Sequence, residues 1–154
     1  MKKTSLGDEA LQGLEEATRS ESPGIEIVDF LGWRVFVEAN SVPIYVRGLA
    51  DGALTLRSPL GTLVEGPDDQ YLKLLLYANC GLVVTKGAGF CLDRNGRLSL
   101  ERTIPGGLVA AELSRVYRRF AEAAVSWSGL VRSQSIGQLV TYREDGLPDI
   151  NLLA

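Results

Sequence analysis

The run at residues 69–80, Asp-Gln-Tyr-Leu-Lys-Leu-Leu-Leu-Tyr-Ala-Asn-Cys, constrains this chain more than any other stretch. Advanced at 100° per residue, Tyr71, Leu72, Leu74, Leu75, Leu76, Tyr77 and Ala78 point almost all the way round a helix, and only the direction of Lys73 is clearly polar. A helix apolar on every side has to be covered twice. In a two-layer domain one side lies on the chain's own sheet, and a small chain has few elements left for the other. A second copy of the chain is the economical cover, so the stretch reads as both core and dimer interface. A fully buried central helix in a monomer is the alternative.

The flanking sequence supplies the layers. Ser5-Leu6-Gly7-Asp8 has capping-box spacing with Asp in place of Glu, and Leu11 and Leu14 then share a face, which predicts a short first helix. Gly13 weakens it by about 1 kcal/mol relative to alanine, so packing has to hold it. From Ile25 the period changes to two. Residues 25–30 open an extended segment that Gly32 divides from 33–38, where Trp33, Val35 and Val37 oppose Arg34, Phe36 and Glu38. Residues 42–47 follow, with Val42, Ile44 and Val46 on one face and Pro43 unable to donate to a ladder. Asp51-Gly52 is a hairpin signal, and Leu54 and Leu56 continue the alternation. Three meandering antiparallel strands are expected.

Asp68 or Asp69 caps the central helix and Gly81 closes it. A second hairpin comes next, with 82–85 and 90–92 on its first arm, Asp93-Arg94-Asn95-Gly96 as the turn and 97–103 returning. Gly87-Ala88-Gly89 lies in this strand pattern with no helix start after it. It therefore reads as a bulge or a close approach of two backbones and not as a phosphate loop. The longest helix runs over about 108–131, where Leu113, Val116, Tyr117, Phe120, Ala124, Trp127 and Val131 recur at three and four to give one apolar stripe. The resulting order, α-β-β-β-α-β-β-α, is of α+β class: a two-layer sandwich with a twisted antiparallel sheet, homodimeric through its central helix. Residues 1–131 form this domain, and 132–154 form an extension with a strand candidate at 139–142 and a turn at 144–146.

Composition narrows the function. The chain's 154 residues, 45% of them apolar, supply one core, and no stretch reaches the roughly 18–20 apolar residues of a membrane span. The start, with Gly7, Asp8 and Glu9, lacks an apolar signal core, which leaves the protein in the cytoplasm. A net charge of −3 argues against a nucleic-acid partner, which would need clustered cations. The one cluster, Arg115, Arg118 and Arg119, has Glu112 and Glu122 at helical spacing and reads as a salt-paired, solvated face. Cys80 and Cys91 read as reduced, buried small side chains and not as a metal site. There is no histidine, which removes the commonest general base and metal ligand together. No acidic pair stands out as catalytic, and no cofactor or metal site is expected.

Three stretches together resemble the class I type III secretion chaperones, the family of the chaperone of the translocated intimin receptor. They are Leu74-Leu75-Leu76-Tyr77-Ala78-Asn79, similar to the family's "LL.AN" segment; the hairpin from Gly89 to Leu100; and Phe120, Ala123 and Trp127, similar to its "F...A..W" ending. The match covers about residues 6–131, and the tail carries no motif that fits it. The resemblance implies a homodimeric bacterial cytoplasmic chaperone, not an enzyme. Such a protein holds the N-terminal segment of secreted effector proteins in extended form and helps present it to the secretion apparatus, whose ATPase is a further partner. It also implies a dimer interface at Leu72, Leu75, Leu76, Asn79 and Val83. Leu11, Leu14, Trp33, Val35, Ile44 and Val46 are the apolar positions that would face a client, with ordinary core as the alternative for each. A client of this kind adds a strand to a sheet edge, where main-chain bonds give affinity and alternate pockets give specificity. A competing reading is a small-molecule-binding α+β domain whose pocket is lined by Trp33, Phe36, Tyr45 and Trp127.

Overall fold

The computed structural model describes residues 5–39, 41–62, 75–76, 78–79, 86–133, 140–142 and 148–150. Helix α1 (Leu6–Glu21) begins at the expected capping box. The Ser5 hydroxyl accepts from the Asp8 N–H and the Asp8 carboxylate accepts from the Ser5 N–H, each at 3.1 Å. Strands β1 (Glu26–Phe30), β2 (Trp33–Val37), β3 (Ile44–Gly48) and β4 (Leu54–Thr62) follow. Where three strands are expected there are four, because Leu31 (φ 48°) and Gly32 (φ 80°) both adopt left-handed backbone and fold one extended segment into a two-residue hairpin.

Strands β5 (Gly89–Leu92) and β6 (Arg97–Ile104) form the second hairpin, and helix α2 (Ala110–Ser133) closes the domain. The Asp93 carboxylate organises the β5–β6 turn by accepting from the N–H groups of Asn95 and Arg97 at 2.8 and 2.9 Å. Gly96 supplies the positive φ there. The six strands make one antiparallel sheet in the order β1-β2-β3-β4-β6-β5. Beyond it, β7 (Val140–Tyr142) and β8 (Pro148–Ile150) pair antiparallel with each other, so the strand expected in the tail belongs to a separate two-stranded sheet.

Both helices lie on one face of the sheet. Phe36, Ile44, Val46, Leu54, Leu56, Leu98, Leu100 and Ile104 point into this layer and meet Leu14 of α1 with Leu113, Phe120, Ala124 and Trp127 of α2. Two ring pairs fix the seam: Phe36 to Tyr117 at 5.2 Å and Phe90 to Trp127 at 4.6 Å, the second edge-to-face. Burial pushes the Tyr117 phenol well above its ordinary range, so it stays neutral. The expected salt-paired face of α2 exists, although its partners come from other elements. Arg118 pairs with Glu21 of α1, and Glu122 pairs with Lys86 at 2.7 Å.

The first helix can dock this closely because two glycines meet. A Cβ on Gly7 would lie 2.2 Å from the Leu49 carbonyl oxygen, and one on Gly48 would lie 2.5 Å from that of Gly7. Arg34 then ties α1 to the sheet, reaching Glu15 at 2.9 Å and Asp29 at 2.5 Å. At the other end of α1 the Ser114 hydroxyl donates to Glu21 at 2.7 Å. That bond, with Arg118 beside it, holds the Glu21 carboxyl below its usual range. Gly7→Ala is expected to lower unfolding stability by about 1–3 kcal/mol, since backbone cannot yield to an added methyl as a side chain can. Gly13→Ala, whose new methyl would meet only the Ala110 side chain at 3.9 Å, should stabilise by about 0.5–1 kcal/mol. Urea denaturation of both variants checks the pair.

Candidate functional site

With both helices on one side, the opposite face of the sheet carries no second layer among the described residues. The strand register determines what stands there. Phe30 is opposite Trp33, Val28 opposite Val35, Val35 opposite Tyr45, and Tyr45 opposite Arg57, so these side chains share the outer face. Arg57 continues to Glu101, its ion-pair partner at 2.6 Å. Phe30 and Val28 are 53% and 43% exposed, and Trp33 and Tyr45 are half-buried. Tyr45 receives both neighbouring rings edge-on, Phe30 at 6.4 Å and Trp33 at 6.3 Å between centroids.

Two guanidinium groups complete the patch. Arg57 sits 5.3 Å and Arg47 5.9 Å from the centre of the Trp33 ring. Glu101 neutralises Arg57, whereas Arg47 has no carboxylate partner among the described residues. The face is therefore an aromatic and aliphatic surface with one uncompensated cation on it. It suits an apolar segment that carries an occasional acidic side chain.

The patch runs to an open edge. β1 is the terminal strand of the sheet, and in a two-residue hairpin the residues flanking the turn bond to each other. Phe30, Val28 and Glu26 are thus engaged with β2, and the peptide groups of Ile27 and Asp29 point outward. An exposed strand edge of this kind is a template for another strand.

The candidate residues named from sequence divide between the two faces. Trp33 and Val35 lie on the outer face, Val35 covered by its neighbours. Ile44 and Val46 point the other way into the helix layer and Leu14 is wholly enclosed there, so all three are core, and Leu11 is half-buried at the core's margin. Alternation assigns faces within one strand but not between strands, which is why the two sets were merged. Val28, Phe30, Arg47 and Arg57 were missed and Tyr45 was named only for the competing pocket; the register set by the Leu31-Gly32 hairpin is the signal that locates them. The same division removes the pocket of the competing reading. Phe36 and Trp127 lie inside the helix layer while Trp33 and Tyr45 lie beyond the sheet, so the four cannot line one cavity.

Of the interface candidates, Leu75 is buried in the core with Ala78, Asn79 is half-buried and Leu76 is 64% exposed. Leu72 and Val83 lie outside the described residues, as do Cys80, the 82–85 arm and the residues expected to cap the central helix. Cys91 is exposed and not buried, because its position in β5 places it on the uncovered face. Partial burial, with Glu101 beside it, pushes its thiol up, so it stays protonated near neutral pH. The expected close approach at Gly87 is real, but it is made by a side chain. The Arg102 guanidinium packs on Gly87 and donates to the Lys86 carbonyl at 2.5 Å.

The model of the Tir chaperone protein (CesT) family matches residues 36–128 of this chain. The chain belongs to that family. Its fold is similar to a chain of the HopA1–SchA chaperone–effector complex, at 21% identity and TM-score 0.58 over 77% of this chain and 92% of the other. It is also similar to a chain of the ExsC–ExsE complex, at 17% identity and TM-score 0.62, covering 82% and 96%. YbjN, a putative transcription regulator from E. coli, shares the fold at 11% identity and TM-score 0.56, covering 81% and 93%. No curated protein sequence matches. Among the described residues, no helix is long and apolar enough to cross a membrane.

The outer-face geometry makes Trp33 a reporter. Removing both guanidinium groups in Arg47→Ala/Arg57→Ala is expected to expose its ring and shift its emission to longer wavelength, at a stability cost of about 1 kcal/mol per contact or less. Trp127, the second tryptophan, is 2% exposed and will not respond. Emission and thermal unfolding spectra of the double variant test this.

Proposed function

We propose that this protein is a type III secretion chaperone. It binds the N-terminal segment of effector proteins in extended form, keeps them soluble and export-competent, and delivers them to the secretion apparatus from the bacterial cytoplasm. The observation that carries the reading is the uncovered aromatic face of the sheet beside an open strand edge, in a chain of the Tir chaperone family. A client strand laid along β1 satisfies the outward peptide groups of Ile27 and Asp29. Its alternate side chains then extend the surface of Val28, Phe30 and Trp33. Binding of this kind needs no catalysis and no cofactor.

We further infer that the working unit is a homodimer. Leu75 and Ala78 already bind the central helix to its own domain, which leaves Leu76 as the described side chain that a second copy would cover. Leu72 and Val83 remain candidates for the same contact, whereas both halves of the Asn79 carboxamide are bonded to Phe90 within the domain. The tail at 132–154 is an extension of the 1–131 domain in this reading, its first two residues continuing helix α2, and the apparatus ATPase is a partner of the loaded dimer.

The experiment is affinity capture of the tagged chain from its native host under secretion-inducing conditions, with mass spectrometry of what stays bound. Recovery of secreted proteins through roughly their first hundred residues, enough to span the domain in extended form, is the expected result. Recovery of the bait alone from a secreting host would refute it. Trp33→Asp should cut that recovery at least tenfold while leaving the fold intact by circular dichroism, since the substitution is outside the core. Leu76→Asp should yield a folded monomer by light scattering, because an unpaired charge is not tolerated in a dry contact. A dimer that survives Leu76→Asp unchanged would place the interface elsewhere.

A further inference from the structure

A six-stranded sheet has two ends, and the aromatic patch that favours β1 does not by itself close the other. Among the described residues, the backbone of the β5 edge carries a side-chain contact that the β1 edge lacks. Asn79, on the central helix, reaches the backbone of Phe90 with both halves of its carboxamide. Its Oδ1 accepts from the Phe90 N–H at 2.6 Å, and its Nδ2 donates to the Phe90 carbonyl at 3.3 Å. This donor–acceptor pair is what a residue of a neighbouring antiparallel strand would offer.

The geometry leaves little else for an incoming strand to use. β5 has four residues, and Gly89 and Cys91 face their partners Glu101 and Ser99 as bonded pairs if Phe90 points outward. Phe90 and Leu92 are then the outward-facing residues, and Leu92 adjoins the Asp93–Gly96 turn. Asn79 takes both groups of Phe90 and so occupies the centre of this short edge. Its position is not free to adjust. Ala78 and Leu75 are buried beside it, and the Phe90 ring is held against Trp127 at 4.6 Å. At β1, by contrast, no side chain among the described residues bonds to the outward peptide groups of Ile27 and Asp29.

We propose that Asn79 acts as a backbone mimic that closes the β5 edge, so that strand addition to this sheet occurs at β1 alone. Asn79 is a positioning residue in this role: it sets the direction of client binding without touching the client, and it guards the other edge against pairing between copies of the chain. The consequence for clients rests on the chaperone reading. The test does not, because its readout needs no client, so its failure would leave the capture experiment untouched.

In Asn79→Ala the Phe90 amide should exchange with solvent about tenfold faster while the amides of Gly89 and Cys91 keep their protection. The variant should also form assemblies larger than the unsubstituted chain in sedimentation velocity. Adding Leu92→Lys, a charge on the opened edge, should return the assemblies to the original size. Asn79→Leu, similar in shape and a good helix former, serves in the same measurements where alanine does not fold. Phe90 exchange that stays slow in these variants, or faster exchange with no change in assembly size, would overturn the proposal. So would assemblies that persist with Leu92→Lys.

Discussion

Every strand of the main sheet has two sides, and among the described residues helices cover only one of them. Leu14, Phe120 and Trp127 complete a dry layer over Phe36, Leu54, Leu56 and Leu100, and that layer holds the domain together. The outer side is left to cover itself with what its own strands carry. Tyr45 packs the edges of Phe30 and Trp33, and Arg57 and Arg47 lie over the indole. Such a surface is tolerable in water because the arginines lend it polarity, and it is available to a segment that brings its own apolar side chains. In the proposed function, stability and client binding use opposite faces of the same strands.

The central helix meets the same shortage of cover. Leu75 and Ala78 go inward while Leu76 stays in solvent, so the excess of apolar surface read from the 69–80 run is visible in the side chains that are described. Its Asn79 does something no helical periodicity would suggest, bonding sideways to a strand. Family membership and not fold carries the functional reading. The same arrangement of sheet and helices occurs in YbjN, a putative transcription regulator, as well as in chains of chaperone–effector complexes.

Much of this was legible in the sequence where the signal is local. The Ser5–Asp8 capping box, the Asp93–Gly96 turn and the apolar stripe of the last helix each depend on residues within a few positions of one another. Errors arose where two distant segments meet. Gly32 alone looked like a break, and only with Leu31 also in the left-handed region does it become a hairpin that sets the register of β1 on β2. Without that register, Trp33 and Val35 could not be separated from Ile44 and Val46, although they lie on opposite faces. The close passage of Gly7 over Gly48 leaves no pattern in a single chain, since it depends on how α1 crosses the sheet. Cys91 differs from expectation for a related reason: its exposure follows from the lack of a second layer among the described residues, and no local feature of β5 reports that.

Amide hydrogen exchange of the copurified complex against the free chain reads directly where a client segment lies. Slowed exchange at Ile27 and Asp29, the outward peptide groups of β1, is the predicted result. A stable complex in which those two amides exchange as fast as in the free chain would contradict it.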